Sequence, residues 1–321
     1  MQRREALKIA ALGATALAME QPAMSQKLSF PIIDAHIHLF DPARPGGVPW
    51  PTKDDTVLYK PALPDRYEAL SKPFGVVGAI AIEASPLATD NEWLLNVAEK
   101  YPVMVGMIGD LVPSSPEFLK RLDTVHSNKL FLGIRYGNLW NRDLMADLDK
   151  PGFVDGLKVL AQAGLVFECA NPDPRLIRAA LKVSEHVPNL RIVMDHMPNA
   201  QVPGEEKMQK EYWANLKQLA ESPHVYVKLS EIPVVKDGAL MRDPKFYREK
   251  LDPLWNTFGE DHVLFGSDWP NSDRVAPYAD TLEIVRSYMS GKPLRVQEKY
   301  YWKNSAKAYR WRRRRDDQPA A

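Results

Sequence analysis

From residue 30 onward, short apolar runs of strand length alternate with longer segments of helical character. Eight runs stand out, at residues 32–37, 76–82, 103–108, 130–134, 165–167, 190–194, 225–229 and 263–265. Between them, residues 92–100, 116–126, 153–163, 174–186, 207–221, 244–258 and 276–289 read as helices. Pro116, Pro174 and Pro244 suit first-turn positions, and Asp173 and Asp243 suit the caps before them. Strand and helix in alternation predict a parallel sheet with helices outside, and eight units over roughly 250 residues fit a closed (β/α)8 TIM-like barrel. A doubly wound open sheet is the competing arrangement. It is disfavoured because no Gly-x-Gly-x-x-Gly or Walker-type loop follows a strand. Two insertions break the rhythm, a Pro- and Gly-rich one at 39–74 containing Trp50 and Tyr59, and another at 230–243. Both follow strands, so both belong to the C-terminal mouth, where the first is expected to form a partial lid.

Composition narrows the class. The 321 residues include 42 basic and 41 acidic side chains, which gives no global bias toward nucleic acid or an anionic membrane. A single cysteine, Cys169, excludes an intrachain disulfide and a Cys-rich metal site. Residues 1–26 form a separate pattern, in which Arg3-Arg4 precedes an apolar small-residue run at 9–19 that is too short to span a bilayer. This reads as a twin-arginine-like export signal and a periplasmic destination, with a plain N-terminal extension of a cytoplasmic protein as the alternative. Residues 27–311 are then one barrel domain. The arginine-rich 312–321, with Asp316 and Asp317 inside it, is expected to be a solvated tail.

Candidate chemistry gathers at strand ends. In Asp34-Ala35-His36-Ile37-His38, strand alternation would set His36 and His38 side by side with Asp34 beneath them. Two neutral imidazoles on one face can hold a divalent metal. Asp195-His196 and Gly266-Ser267-Asp268-Trp269-Pro270 end two later runs, so a barrel would bring His36, His38, His196 and Asp268 around one mouth. A carboxylate there can bind the metal or take a proton from attacking water, and a third histidine can orient or relay. Arg135 and Lys228 are expected at the mouth as binders of a substrate carboxylate, and Glu83 ends the second run nearby. For Lys228, an ion pair with a buried acid is the equal alternative.

Asp34-Ala-His-Ile-His38, Asp195-His196, Val227-Lys-Leu-Ser230 and Phe265-Gly-Ser-Asp-Trp-Pro270 together resemble the amidohydrolase superfamily, in its amidohydrolase-related (amidohydrolase-2) branch. The likeness is to the lactonase group that includes 2-pyrone-4,6-dicarboxylate lactonase and sugar-acid lactonases, and it runs from about residue 31 to 310. It implies a distorted barrel and water attack on the carbonyl of a lactone, a sugar-acid or aromatic-degradation compound, with an anionic substrate preferred. Binuclear relatives place a lysine or glutamate on strand four and a histidine on strand five. Here those ends read Gly133-Ile134-Arg135 and Phe167-Glu168-Cys169, which implies at most one divalent ion, expected to be zinc, with Glu168 as a further ligand. Some lactonases of this branch work without metal, so a metal-free site is the alternative. A metal-dependent non-oxidative decarboxylase of aromatic acids is the competing activity, weakened by the missing strand-five histidine. A non-catalytic binding barrel is opposed by the retained Asp268 and histidine pair.

Overall fold

The computed structural model describes residue 28 and residues 30–320. Eight parallel strands follow one another in chain order around the sheet: β1 (Ile32–His38), β2 (Val76–Ile82), β3 (Met104–Gly109), β4 (Phe131–Gly137), β5 (Val166–Ala170), β6 (Arg191–Met194), β7 (Val225–Leu229) and β8 (Val263–Phe265). The sheet closes between its first and last strands just beyond β8, where His38 N donates to Trp269 O at 2.7 Å and Asp268 N to His36 O at 2.9 Å. The expected TIM-like barrel is therefore present, with its seam lying at the candidate chemistry. Gly266 is required there, because a Cβ at this position would come within 2.6 Å of His36 Cβ.

Side-chain alternation sorts the core into two layers. Ile33, Ile80, Val105, Leu132, Val166, Val193 and Leu264 fill the barrel interior, whereas residues such as Ile32, Ile134, Phe167, Val227 and Phe265 pack outward against the helices. Asp173 accepts from Leu176 N at 2.7 Å and Asp243 from Lys245 N at 2.9 Å, so both act as the caps expected. Pro116 does not: that helix runs Phe118–His126, with Pro116 in the preceding turn. Strand β5 extends three residues past the apolar run, because Glu168 is paired inside the barrel and can continue the ladder. The 230–243 insertion carries a small antiparallel ladder, Val235–Lys236 with Ala239–Leu240.

The solvated tail expected for 312–321 is not what folds. Trp311 is buried within the interior cluster, and Arg314 donates to the carbonyls of Ala98 (2.6 Å), Glu99 (2.7 Å), Met104 (2.9 Å) and Tyr101 (3.1 Å). Gln318 Nε2 adds bonds to Val77 O at 2.9 Å and Pro102 O at 2.8 Å. These carbonyls lie at the end of the Asp90–Lys100 helix and at the starts of β2 and β3, where the negative end of the helix dipole favours a guanidinium. The tail therefore seals the bottom of the barrel. The twin-arginine-like segment lies outside the described residues. Among the described residues, no helix is long and apolar enough to cross a membrane.

Candidate active site

Strand β1 does not keep simple alternation. Its register against β2 shifts between Asp34 and Ile37, a bulge that adds one residue and changes which face follows. Asp34 consequently points toward the helices instead of lying beneath the histidines. It accepts from Ser267 N at 2.8 Å, His36 N at 3.2 Å, Tyr67 Oη at 3.0 Å and Tyr278 Oη at 3.2 Å. It ties the β1 bulge to the β8 exit and so fixes the seam.

His36 Nε2 and His38 Nε2 lie 3.3 Å apart, and Asp268 Oδ1 lies 3.4 Å from the first and 3.2 Å from the second. Ligands at roughly 2.0–2.1 Å from a tetrahedral ion are separated by about 3.3–3.4 Å, so these three atoms fit a zinc-sized cation. Asp268 Oδ1 is buried and accepts no hydrogen bond, whereas Oδ2 accepts from Asn271 Nδ2 at 2.7 Å. His38 Nδ1 faces the carbonyl of Ile82 at 3.1 Å, which fixes the proton on Nδ1 and leaves the Nε2 lone pair for the site. Burial, with Arg135 adding to it, lowers His38 to about 3, and burial with Lys228 holds His36 well below its ordinary value. Both rings are neutral near pH 7, as ligands must be. Burial pushes the Asp268 carboxyl up to about 8; His196 opposes the shift and Glu231 adds to it. A cation at Oδ1 would favour the ionised form.

Beneath this group lies a buried polar layer. Arg135 Nε donates to Asp195 Oδ2 at 2.8 Å, and Lys228 Nζ reaches Asp195 Oδ1 at 3.0 Å, Glu168 Oε1 at 2.8 Å and His36 Nδ1 at 3.1 Å. Burial opposes charge on Asp195, yet Lys228, His36 and Arg135 hold its carboxyl well below the usual range. Two expectations are corrected here. Glu168 does not join the metal-binding group, because it lies deeper in the barrel, where its Oε1 takes Lys228 and the Tyr309 hydroxyl. Lys228 is not a substrate binder, because its side chain is 0% exposed and its ammonium lies among buried acids.

Above the layer opens a cavity of about 340 Å³, at the small end of the range for ligand pockets. His38, His196, Asp268, Arg135 and Glu83 line it, and Trp50 from the first insertion and Trp140 form apolar walls. Arg135 thus reaches the mouth as expected, but with its charge matched by Asp195 and by Glu83 at 3.7 Å. Glu83 accepts from Trp140 Nε1 at 3.0 Å, and burial raises its carboxyl to about 7. His196 is held by Ser230 Oγ at 2.9 Å from Nδ1, and its Nε2 stands 3.9 Å from Asp268 Oδ1. Asp195, Asn271, Glu231 and Tyr309 were given no role by sequence reasoning. Asp195 belongs to the Asp195-His196 motif, Glu231 adjoins Ser230 and Asn271 lies three beyond Asp268, but nothing local signals that Tyr309 reaches Glu168.

The family model described as Amidohydrolase matches residues 33–311. An L-fucono-1,5-lactonase of Burkholderia ambifaria is 28% identical over 253 residues, covering 77% of this chain and 83% of that protein. An amidohydrolase from Burkholderia multivorans, solved with bound zinc, superposes with a TM-score of 0.75 at 21% identity over 88% of this chain and 99% of its own. A structure described as a probable 2-pyrone-4,6-dicarboxylic acid hydrolase from Acinetobacter baumannii gives a TM-score of 0.66 at 16% identity over 88% of this chain and 100% of its own. At these identities the two structures establish a shared fold.

Proposed function

The chain belongs to the amidohydrolase family, and on that premise we propose that it is a lactonase, opening the cyclic ester of a sugar acid or an aromatic-degradation intermediate with water. The observation that carries this reading is the convergence of His36 Nε2, His38 Nε2 and the open Asp268 Oδ1 at the floor of a cavity large enough for a small lactone. The lactonase relatives support the same chemistry. His36, His38 and Asp268 would hold one divalent ion, for which zinc is our proposal, and the ion would supply positive charge against the developing oxyanion. Asp268 accepts the proton of the attacking water, for which Asn271 fixes its orientation through Oδ2. His196, set by Ser230 and packed against the His36 ring, orients water or substrate beside Asp268. Collapse of the tetrahedral intermediate breaks the ring C–O bond, and the proton held at the site goes to the leaving alkoxide, giving the open hydroxy acid.

The test is metal analysis of gently purified protein together with a pH-indicator screen of lactones, before and after chelation. About one divalent ion per chain is expected. Lactone hydrolysis lost on chelation and restored by zinc supports the reading, whereas full activity in stripped protein removes the metal from it. Release of carbon dioxide from an aromatic acid, with no lactone opened, would favour the decarboxylase alternative. We also propose export through the Arg3-Arg4 segment; full-length protein confined to the cytosol would refute it.

A further inference from the structure

Glu231 follows the serine that holds His196, and its backbone is left-handed at φ 50, a conformation a glutamate keeps only when its surroundings impose it. Two asparagines impose it. Asn199 Nδ2 donates to the Glu231 carbonyl at 3.1 Å and to Oε2 at 2.8 Å. Asn271 Nδ2, the same group that holds Asp268, donates to Oε1 at 2.9 Å. The carboxylate is thus anchored on the cavity wall with its side chain still 29% exposed.

No lysine or arginine among the described residues is paired directly with it; His196 is its near basic partner, and Arg135 and Lys250 act on it from farther away. Among the described residues, no lysine or arginine nitrogen lies within 4.0 Å of it, and the nearest basic atom is His196 Nδ1 at 3.9 Å. The cavity's arginines are already matched: Arg135 by Asp195 and Glu83, and Arg274 by Asp55, with its guanidinium 5.7 Å over the Trp50 ring. A carboxylate offers about four acceptor positions. The two amides use two, which leaves capacity for hydroxyl donors entering the cavity. Among the described residues that line the cavity, no lysine or arginine is left without an acidic partner for an anionic substrate.

We propose that Glu231 is a specificity-determining residue that accepts hydrogen bonds from the hydroxyls of an uncharged, polyhydroxylated lactone and rejects lactones bearing a carboxylate. The proposal rests on the lactonase reading above and decides between its two substrate classes. A site built around a substrate hydroxyl discriminates strongly against analogues that lack it, because its own polar groups are then left unpaired, and a like charge facing Glu231 adds a repulsive element. Trp50 and Trp140 complete the match, offering apolar faces to the C–H side of a sugar ring while Glu231 meets its hydroxyl edge.

The test compares kcat/KM of the full chain, zinc-loaded, on a six-membered aldonolactone, on δ-valerolactone, which has the ring without hydroxyls, and on 2-pyrone-4,6-dicarboxylate. The wild type is expected to favour the aldonolactone by about 10²-fold or more over each. In Glu231→Gln the aldonolactone should lose about tenfold or more, chiefly through KM, clearly more than δ-valerolactone does, while the dicarboxylate gains. Glu231→Asp keeps the charge but shortens the reach, so it should lose the aldonolactone and still reject the dicarboxylate; it also serves if the glutamine variant fails to fold. Equal losses on all three substrates, or a wild-type preference for the dicarboxylate, would overturn the proposal while leaving the lactonase reading intact. Failure of the wild type to open any lactone would overturn both.

Discussion

At the bottom of the barrel and at its mouth the same eight strands end, and the backbone and polar side chains there meet opposite fates. At the bottom, Arg314 donates to four carbonyls, Gln318 to two more, and Trp311 fills the opening. At the mouth, Asn171, His196, Glu231 and Asp268 follow β5, β6, β7 and β8 with φ between 49 and 61, and Trp140 beyond β4 does the same at 56. Left-handed backbone at a residue other than glycine costs on the order of 1–3 kcal/mol and persists only where its surroundings enforce it. At the mouth that cost aims side chains inward and leaves Asp268 Oδ1 without a donor. Among the described residues the bottom carries a single such non-glycine residue, Arg310 at φ 55, beside carbonyls that the tail pairs, whereas the mouth gathers several of them around an open acceptor ready for a ligand.

The comparison breaks most directly at Asp268. Asp268→Asn keeps the shape and the Asn271 contact at the mouth but removes the proton acceptor, so kcat should fall by about 10²- to 10⁴-fold. Stability should hold or rise, because a buried carboxyl is replaced by an amide. Rates and thermal melts on one preparation check this. A large loss of stability would show that Asp268 supports the fold and that the two ends do not divide their work.

The reverse experiment belongs at the bottom. Trp311→Ala opens a cavity in the interior cluster and should cost about 3–5 kcal/mol of unfolding free energy. Arg314→Met, which removes four hydrogen bonds to carbonyls, should cost about 1–3 kcal/mol. Denaturant unfolding measures both, and kcat and KM of the folded fraction should stay close to wild type. A matching loss of kcat in either variant would mean that the tail acts on the chemistry as well as on stability.

Much of this division was legible along the chain, because the barrel is written in local pattern: apolar runs of strand length, helical spacing between them, and polar residues at the ends of β1, β6 and β8. His36, His38, His196 and Asp268 were findable for that reason, since each sits where a strand stops being apolar. What stayed hidden depends on contacts between distant residues. The β1 bulge that turns Asp34 toward Tyr67 and Tyr278 leaves no mark in its own seven residues. Glu168 and Lys228 have the chemistry of a ligand and a substrate clamp. Only their depth, set by register between β5, β7 and Tyr309, makes them partners of one another. The tail misled for a related reason: a run of arginines looks solvated until the carbonyls gathered beneath the barrel are known.

The smallest expected effect sharpens the comparison at the edge of the cavity. Burial raises the Glu83 carboxyl from 4.5 to about 7, against the lowering effect of Arg135, Arg142 and the Trp140 N–H and with a smaller raising effect from Asp110. Below pH 4.5 the folded and unfolded chains both carry this proton. Between there and pH 7 the folded chain retains it and the unfolded chain releases it, so the Glu83 contribution to stability falls as pH rises through that window. Above pH 7 the full penalty of a buried carboxylate is present, about 3 kcal/mol for a shift of this size. Glu83→Gln should therefore match wild type near pH 4.5 in urea unfolding and exceed its stability by about that amount at pH 8. A variant less stable than wild type at pH 8 would reverse the sign. It would mean that the Arg135 pairing outweighs desolvation and that, at Glu83, the mouth is built for stability in the same way as the bottom.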